Sequence, residues 1–285
     1  MAPWPRFRRA PTASAILAVT FLVLVFHLPA VLPLAIATTP GAEADPPKVQ
    51  LAPAETRPLL AIIIDDLGWG VLGTAEVLAL PYRLTMAVLP DGPFSRSEAQ
   101  QAWEKGHEVF LHLPMEPRGA FPPVPRFITV DQTDEAIRAR VRYHLLQIPH
   151  ATGVNNHMGS RATSDRRVAR AVLEVVSEHG LVFVDSRTWH LSVMRELAAE
   201  LGIPAAANQV FLDNIREAET IRRQLWKGAA LAQAHGRALV LGHVHPLMAR
   251  VLAEEIPRLL QAGIAVVPAS RVVDWDVERP QLRLR

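Results

Sequence analysis

The 285-residue sequence predicts an α/β protein, a (β/α) barrel of seven to eight units. Three observations lead there. Short apolar runs alternate with amphipathic stretches of helical period, which implies a parallel sheet with helices outside it. Nearly every apolar run ends in a polar cluster rich in Asp, His or Asn. The ends of many different strands converge on one mouth only when the sheet closes, so a barrel is preferred to an open, doubly wound sheet.

The organising stretch is Leu59-Leu60-Ala61-Ile62-Ile63-Ile64-Asp65-Asp66-Leu67-Gly68. Its apolar run is too short for a membrane span and rich in β-branched Ile, so it reads as a strand buried on both faces. Two carboxylates then stand side by side at the strand's C-terminal edge. Adjacent like charges call for a metal ion or a shared proton. A helix cap followed by a turn glycine is the plainer alternative.

The remaining elements follow in order. Val71 to Leu78 is a short helix that stops before Pro81. Leu84 to Leu89 is a strand leading into Pro90-Asp91-Gly92. Ser95 and Glu98 have capping-box spacing for a helix ending at Gly106. Glu108 to Leu111 is a strand running into His112-Leu113-Pro114-Met115-Glu116-Pro117. A Pro-rich loop from Arg118 to Arg126 is long enough to wall a substrate site. Thr133 caps a helix with a stripe of Ile137, Val141 and Leu145. Gly153-Val154 enters Asn155-Asn156-His157-Met158-Gly159-Ser160. Ser164 caps a helix carrying Val168, Val172 and Val175. Leu181 to Val184 is a strand ending in Asp185-Ser186-Arg187. Ser192 caps a helix with Met194, Leu197 and Leu201. Gln209 to Leu212 is a short strand ending in Asp213-Asn214, and the long helix after it ends at Gly236. Ala238 to Leu241 leads into Gly242-His243-Val244-His245-Pro246. The last helix carries Val251, Leu252, Leu259 and Leu260, with a kink expected at Pro257. Ile264 to Val267 closes the series.

Composition narrows the chemistry. There is no cysteine, which removes disulfides, thiolate nucleophiles and Cys-ligated zinc. The basic excess lies at the N-terminus: without Arg6, Arg8 and Arg9, 27 basic residues face 28 acidic ones. The body has no basic block with interleaved aromatics, so nucleic-acid binding is not expected. Those arginines precede an apolar stretch, Ala13 to Phe26, and a small-x-small site at Ala35-Ile36-Ala37. Residues 1–37 therefore read as a secretory signal peptide, with an uncleaved N-terminal anchor as the alternative. Residues 38–57 read as a flexible leader, 58–276 as the barrel domain and 277–285 as a polar tail. The domain is expected in a bacterial periplasm or secreted. Membrane contact is expected only through an uncleaved anchor.

The strand-end residues pool into Asp65, Asp66, His112, Glu116, Asn155, His157, Asp185, His243 and His245. Asp with two or three His suits zinc or a similar divalent ion with positions open for water. One Asp of the pair can bind the ion while the other acts as general base, and a His on the opposite wall can act as general acid. Each His also has a structural reading, as a strand-end imidazole satisfied by backbone. His243 is the stronger of the last two, because a turn at Pro246 redirects His245. His107, His144, His150, His179, His190 and His235 read as surface or packing residues. Trp69, Trp189 and Phe121 lie near the predicted mouth.

Five ordered blocks resemble the divergent polysaccharide deacetylase family: Ile62-Ile63-Ile64-Asp65-Asp66-Leu67-Gly68, His112-Leu113-Pro114-Met115-Glu116-Pro117, Asn155-Asn156-His157-Met158-Gly159-Ser160, Phe183-Val184-Asp185-Ser186 and Gly242-His243-Val244-His245-Pro246. The resemblance covers about Leu59 to Ser270. It implies a distorted (β/α) barrel related to carbohydrate esterases and glycoside hydrolases. It also implies metal-dependent removal of acetyl groups from a polysaccharide, such as an envelope or cell-wall glycan. By that resemblance Asp65 is the general base, Asp66 a metal ligand and His243 the late general acid. The family's His-x-x-x-His motif is absent. Glu116 stands where the second His would be, and His157 is the candidate to supply the missing imidazole beside His112. Asn155, Asp185 and His245 are further candidates for metal or substrate. The alternative is an inactive envelope protein that binds glycan or a protein partner through the same cleft.

Overall fold

The structure, a computed structural model, describes residues 57–119 and 126–273. The expected export segment, the leader up to residue 56, Phe121 and the polar tail lie outside these. Among the described residues no helix is long and apolar enough to cross a membrane.

Among the described residues nine parallel strands form one sheet: β1 (Leu59–Leu67), β2 (Thr85–Val88), β3 (Glu108–Met115), β4 (Ala151–Met158), β5 (Val182–Asp185), β6 (Ala205–Ala207), β7 (Val210–Phe211), β8 (Arg237–His243) and β9 (Ala265–Val267). Seven α-helices of the described residues cover its outside: α1 (Thr74–Leu78), α2 (Ser95–Glu104), α3 (Asp134–Leu145), α4 (Arg166–Glu178), α5 (Met194–Glu200), α6 (Ala218–His235) and α7 (Pro246–Gln261). The strand order is β6-β5-β4-β3-β2-β1-β8-β7, with β9 pairing on β1. The two edge strands, β6 and β7, are consecutive in the chain, separated by Asn208 and Gln209 alone. The sheet therefore curls until its edges meet without pairing. The seam is held by other bonds. Asn208 N–H donates to the Asp185 carbonyl (2.8 Å), and Gln209 both donates to the Leu239 carbonyl (3.1 Å) and accepts its N–H through Oε1 (2.8 Å). This is the distorted (β/α) barrel that was expected.

Strand alternation sorts the side chains into two layers. Leu60, Ile62 and Ile64 of β1 join the large cluster under the helices, while Ala61 and Ile63 join a smaller one inside the curl with Phe110, Val184, Leu239 and Leu241. At one end, Ala269, Val272 and Val273 belong to this inner cluster. The turn that carries them is tied to the first residues of β2 and β3: Ala269 N–H donates to Thr85 Oγ1 (2.8 Å) and Ser270 N–H to Glu108 Oε2 (3.2 Å). Gly153 of β4 faces inward, where an added Cβ would lie 2.5 Å from the Phe110 ring.

Several local expectations shift. The first helix is α1 alone, because Gly70 and Gly73 turn the chain at φ +65° and +101°. Asp165, not Ser164, caps α4, its carboxylate accepting from the N–H groups of Arg167 and Val168. Val193 occupies the N-cap of α5, with no side-chain cap bond, where Ser192 was expected. β6, too short and alanine-rich to register as a strand, was not anticipated. α7 continues through Pro257.

Candidate active site

The inward alternation that places Ala61 and Ile63 inside the curl continues to Asp65, which is 2% exposed. By the same rule Phe110 is followed inward by His112, Gly153 by Asn155 and His157, and Leu241 by His243. β3 pairs with β4 and β1 with β8, β2 standing between the two pairs, and His243 is the direct cross-strand neighbour of Asp65. Asp66 should point the other way. It does not, because the register of β1 against β2 slips between Ile64 and Leu67 and Asp66 adopts φ +68°. A non-glycine residue in the left-handed region is strained, and such strain is held where the surroundings over-determine it. Here it brings both carboxylates to His112: Nε2 lies 3.5 Å from Asp65 Oδ2 and 3.3 Å from Asp66 Oδ1.

Three atoms form the centre. Asp66 Oδ1, His112 Nε2 and His157 Nδ1 lie 3.0–3.3 Å apart pairwise. Among the described residues this is the group of His and acid side chains close enough to share one ion. Donors ~2.1 Å from one divalent ion sit about 3.0 Å apart at octahedral angles and about 3.4 Å apart at tetrahedral ones. The triangle falls in that range. Asp66 Oδ1 is buried and makes no well-formed hydrogen bond, although two imidazole nitrogens press on it. Three lone-pair atoms in mutual contact around an unsatisfied carboxylate oxygen suit a cation.

The supporting atoms fix this arrangement. Asn155 is buried between two of the partners. Its Oδ1 accepts from His112 Nδ1 (3.0 Å) and its Nδ2 donates to Asp65 Oδ1 (2.8 Å). The His112 proton is thereby held on Nδ1 and the Nε2 lone pair is turned to the triangle. Asn156, on the opposite face of β4, accepts from Ser186 N–H (2.9 Å) and donates to the Met158 carbonyl (2.7 Å), fastening the chain after His157. Glu98 of α2 does not close a capping box. Its carboxylate accepts from the N–H groups of Gly68 and Gly70 and so pins the turn that follows the Asp pair.

Charge is distributed unevenly over the site. Burial pushes the Asp65 carboxyl up, against the pull of His112, His243 and Asn155. Burial would also raise Asp66, but His112 and His157 outweigh it and hold that carboxyl well below the usual range. Burial works against a charge on His243 too. There Asp213 prevails: its Oδ1 accepts from His243 Nδ1 (3.0 Å), and with Asp65 and Asp66 it raises His243 to about 9. Asp213 is the residue that sequence reasoning left out of the pool. Its signal was available, since it ends a strand as the others do. The bond at Nδ1 leaves His243 Nε2 to present its proton to the cleft.

Three pooled residues stand elsewhere. Glu116 does not join the triangle; its carboxylate accepts from Val130 N–H (2.8 Å) and Arg161 Nη1 (2.6 Å), bracing the loop between β3 and α3. Asp185 continues the outward face of β5 after Phe183, and its Oδ1 accepts from Arg187 N–H (2.8 Å). His245 caps α7, accepting from Met248 N–H at Nδ1 (3.0 Å) and donating from Nε2 to Asp213 Oδ2 (3.1 Å). His107 and His144 are buried and bond backbone carbonyls, as packing residues do.

Known proteins place this geometry. Residues 62–273 match the model of the family described as divergent polysaccharide deacetylase. YibQ, an uncharacterized protein of Escherichia coli (strain K12), is 34% identical over 215 residues, spanning 75% of this chain and 67% of YibQ. An uncharacterized protein of Haemophilus influenzae is 32% identical over 209 residues, spanning 73% of this chain and 72% of the relative. The crystal structure of uncharacterized protein ATU2773 from Agrobacterium tumefaciens C58 has the same fold, with a TM-score of 0.73 at 23% identity over 76% of this chain and 89% of that one.

Proposed function

The chain belongs to the divergent polysaccharide deacetylase family, and from that premise we propose that it is an exported metal-dependent hydrolase that removes acetyl groups from an envelope or cell-wall glycan. The observation that carries the reading is the Asp66–His112–His157 triangle flanked by a buried carboxylate, Asp65, and a carboxylate-backed imidazole, His243. Asp66, His112 and His157 would hold zinc or a similar divalent ion, which supplies Lewis-acid polarisation of the acyl oxygen and of water. Asp65 takes the proton of the attacking water, its basicity strengthened by burial. Oxygen adds to the acyl carbon, and His243 delivers its Nε2 proton to the departing amine or alcohol as the C–N or C–O bond breaks. Acetate and the freed sugar group are the products. Asp213 stabilises the imidazolium before the transfer and fixes its orientation. Export is supported by the arginine-led apolar segment at the N-terminus.

The test is acetate release from N- and O-acetylated glycans by the full chain loaded with zinc. Asp65→Asn should lower turnover about 10²–10⁴-fold while the protein keeps its metal. Full turnover in that variant would remove Asp65 from the mechanism. Glycan binding with no acetate released from any substrate would instead make the cleft a binding site.

A further inference from the structure

We propose that the cleft accepts an anionic glycan, one bearing carboxylate or phosphate groups beside the acylated sugar, held by a rim of three arginines and two tryptophans. The inference rests on the deacetylase reading for the position of the cleft, and it adds the class of chain that lies in it. Arg118 and Arg126 both come from the segment between β3 and α3. Each lies over a tryptophan: Arg118 over Trp189, after β5, and Arg126 over Trp69, after β1, both 4.9 Å from the ring centroid. One described end of that segment packs on the centre and the other is tied to the turn after β4. Phe127, next to Arg126, packs edge-on against His157 (6.1 Å), and Arg118 N–H donates to Ser160 Oγ (2.9 Å), three residues beyond His157. On the Trp189 side, Thr188 Oγ1 donates to the carbonyl of Met158 (2.8 Å). The two arginine–tryptophan pairs therefore flank the triangle from the β1 and β5 sides. Arg216, three residues after Asp213, comes from the loop that follows β7 at the same strand ends.

The charges of this rim are not cancelled locally. No carboxylate of the described residues pairs with Arg118, Arg126 or Arg216 within salt-bridge distance. Three acids on the same loops are committed elsewhere: Glu116 to Arg161, Asp213 to two histidines, and Asp131 to the Thr129 hydroxyl. A guanidinium stacked on an indole keeps its charge and its planar donors while the ring fixes its position. Such donors match carboxylate and phosphate oxygens, and the half-exposed Trp69 leaves apolar ring surface for the faces of a sugar. The body of the protein is near neutral, so this rim is a local feature and not a reflection of net charge.

The experiment is calorimetric binding to the full chain carrying Asp65→Asn, so that no turnover intervenes and a failure of deacetylation leaves the result intact. Three probes are compared: oligogalacturonate for carboxylate, a glycerol-phosphate oligomer for phosphate, and uncharged N-acetylchitohexaose. The expected result is at least 10-fold tighter binding of one anionic probe than of the uncharged one, and which probe it is identifies the source of the charge. That affinity should weaken at least 10-fold in the Arg118→Gln, Arg126→Gln double variant with an unchanged melting curve. If the double variant fails to fold, salt decides: anionic binding should weaken several-fold between 0.05 and 0.5 M salt, roughly as screening of exposed charges requires. Equal affinity for charged and uncharged probes, an undiminished double variant, or salt-independent binding would each overturn the proposal.

Discussion

Asp213 lies outside the Asp66–His112–His157 triangle, yet it decides whether His243 has a proton to give. Its Oδ1 at 3.0 Å and the nearby acids raise His243 to about 9, so the imidazole is charged at neutral pH. The sign follows directly. A general acid is lost as pH rises through its pKa, so kcat/KM should fall on the alkaline side near 9. Asp213→Asn removes the stabilising charge, and the alkaline limb should move down by about 1–2 units, read from a pH–rate profile. A limb that stays in place would take the general-acid role away from His243. The same pair bears on stability. His243, raised in the folded state, contributes fully below its unfolded value and loses that contribution as pH rises through about 9. Asp213, lowered, contributes above the ordinary carboxylate range and loses it as pH falls. Asn155 acts on the other side of the site. Because it holds the His112 proton on Nδ1, Asn155→Ala should weaken zinc binding about 10–100-fold in a chelator competition, with the fold retained.

At the scale of elements, the site is a product of strand alternation with one deliberate break. Ala61, Ile63 and Asp65 share a face, as do Phe110 and His112, Gly153, Asn155 and His157, and Leu239, Leu241 and His243. That much was legible in the sequence, since a period of two is visible in each apolar run. The same count would have set Asp185 outside, because Val182 and Val184 take the inward face and leave Asp185 with Phe183. Asp66 was not legible from periodicity, because its inward turn depends on a register slip and a positive φ that residue order does not encode. The seam escaped for a similar reason: β6 is three alanines, with no β-branched residue to announce a strand. Glu98 was misassigned because capping-box spacing is local, while its partners, Gly68 and Gly70, arrive from another loop. The turn it pins follows the Asp pair, so Glu98→Ala leaves two backbone donors unanswered. That should cost about 1–3 kcal/mol in denaturant unfolding, and the Asp pair should hold its metal less firmly. An unchanged unfolding midpoint would mean that the turn is held by its glycines alone.

For the whole molecule, the three residues of the triangle come from three strands, β1, β3 and β4, that are brought together by folding alone. The unfolded chain offers no such triangle, so an ion bound there would favour the folded barrel. The linkage has a definite size. An ion present at 100 times its dissociation constant adds about 2.7 kcal/mol to the folded state. In a domain of this length that corresponds to a rise of roughly 5–10 °C in Tm. The full chain, stripped with chelator and then titrated with zinc, should show a rise of that order in a thermal melt. The His112→Ala, His157→Ala double variant should melt at one temperature with and without zinc. The comparison separates binding at the triangle from weak binding at the surface acids, which the double variant keeps. A metal-induced rise that persists in the double variant would place the ion elsewhere. No rise in either protein, at any divalent ion tried, would leave the barrel a fold without its metal, and the search would pass from acetylated substrates to the glycans its rim can hold.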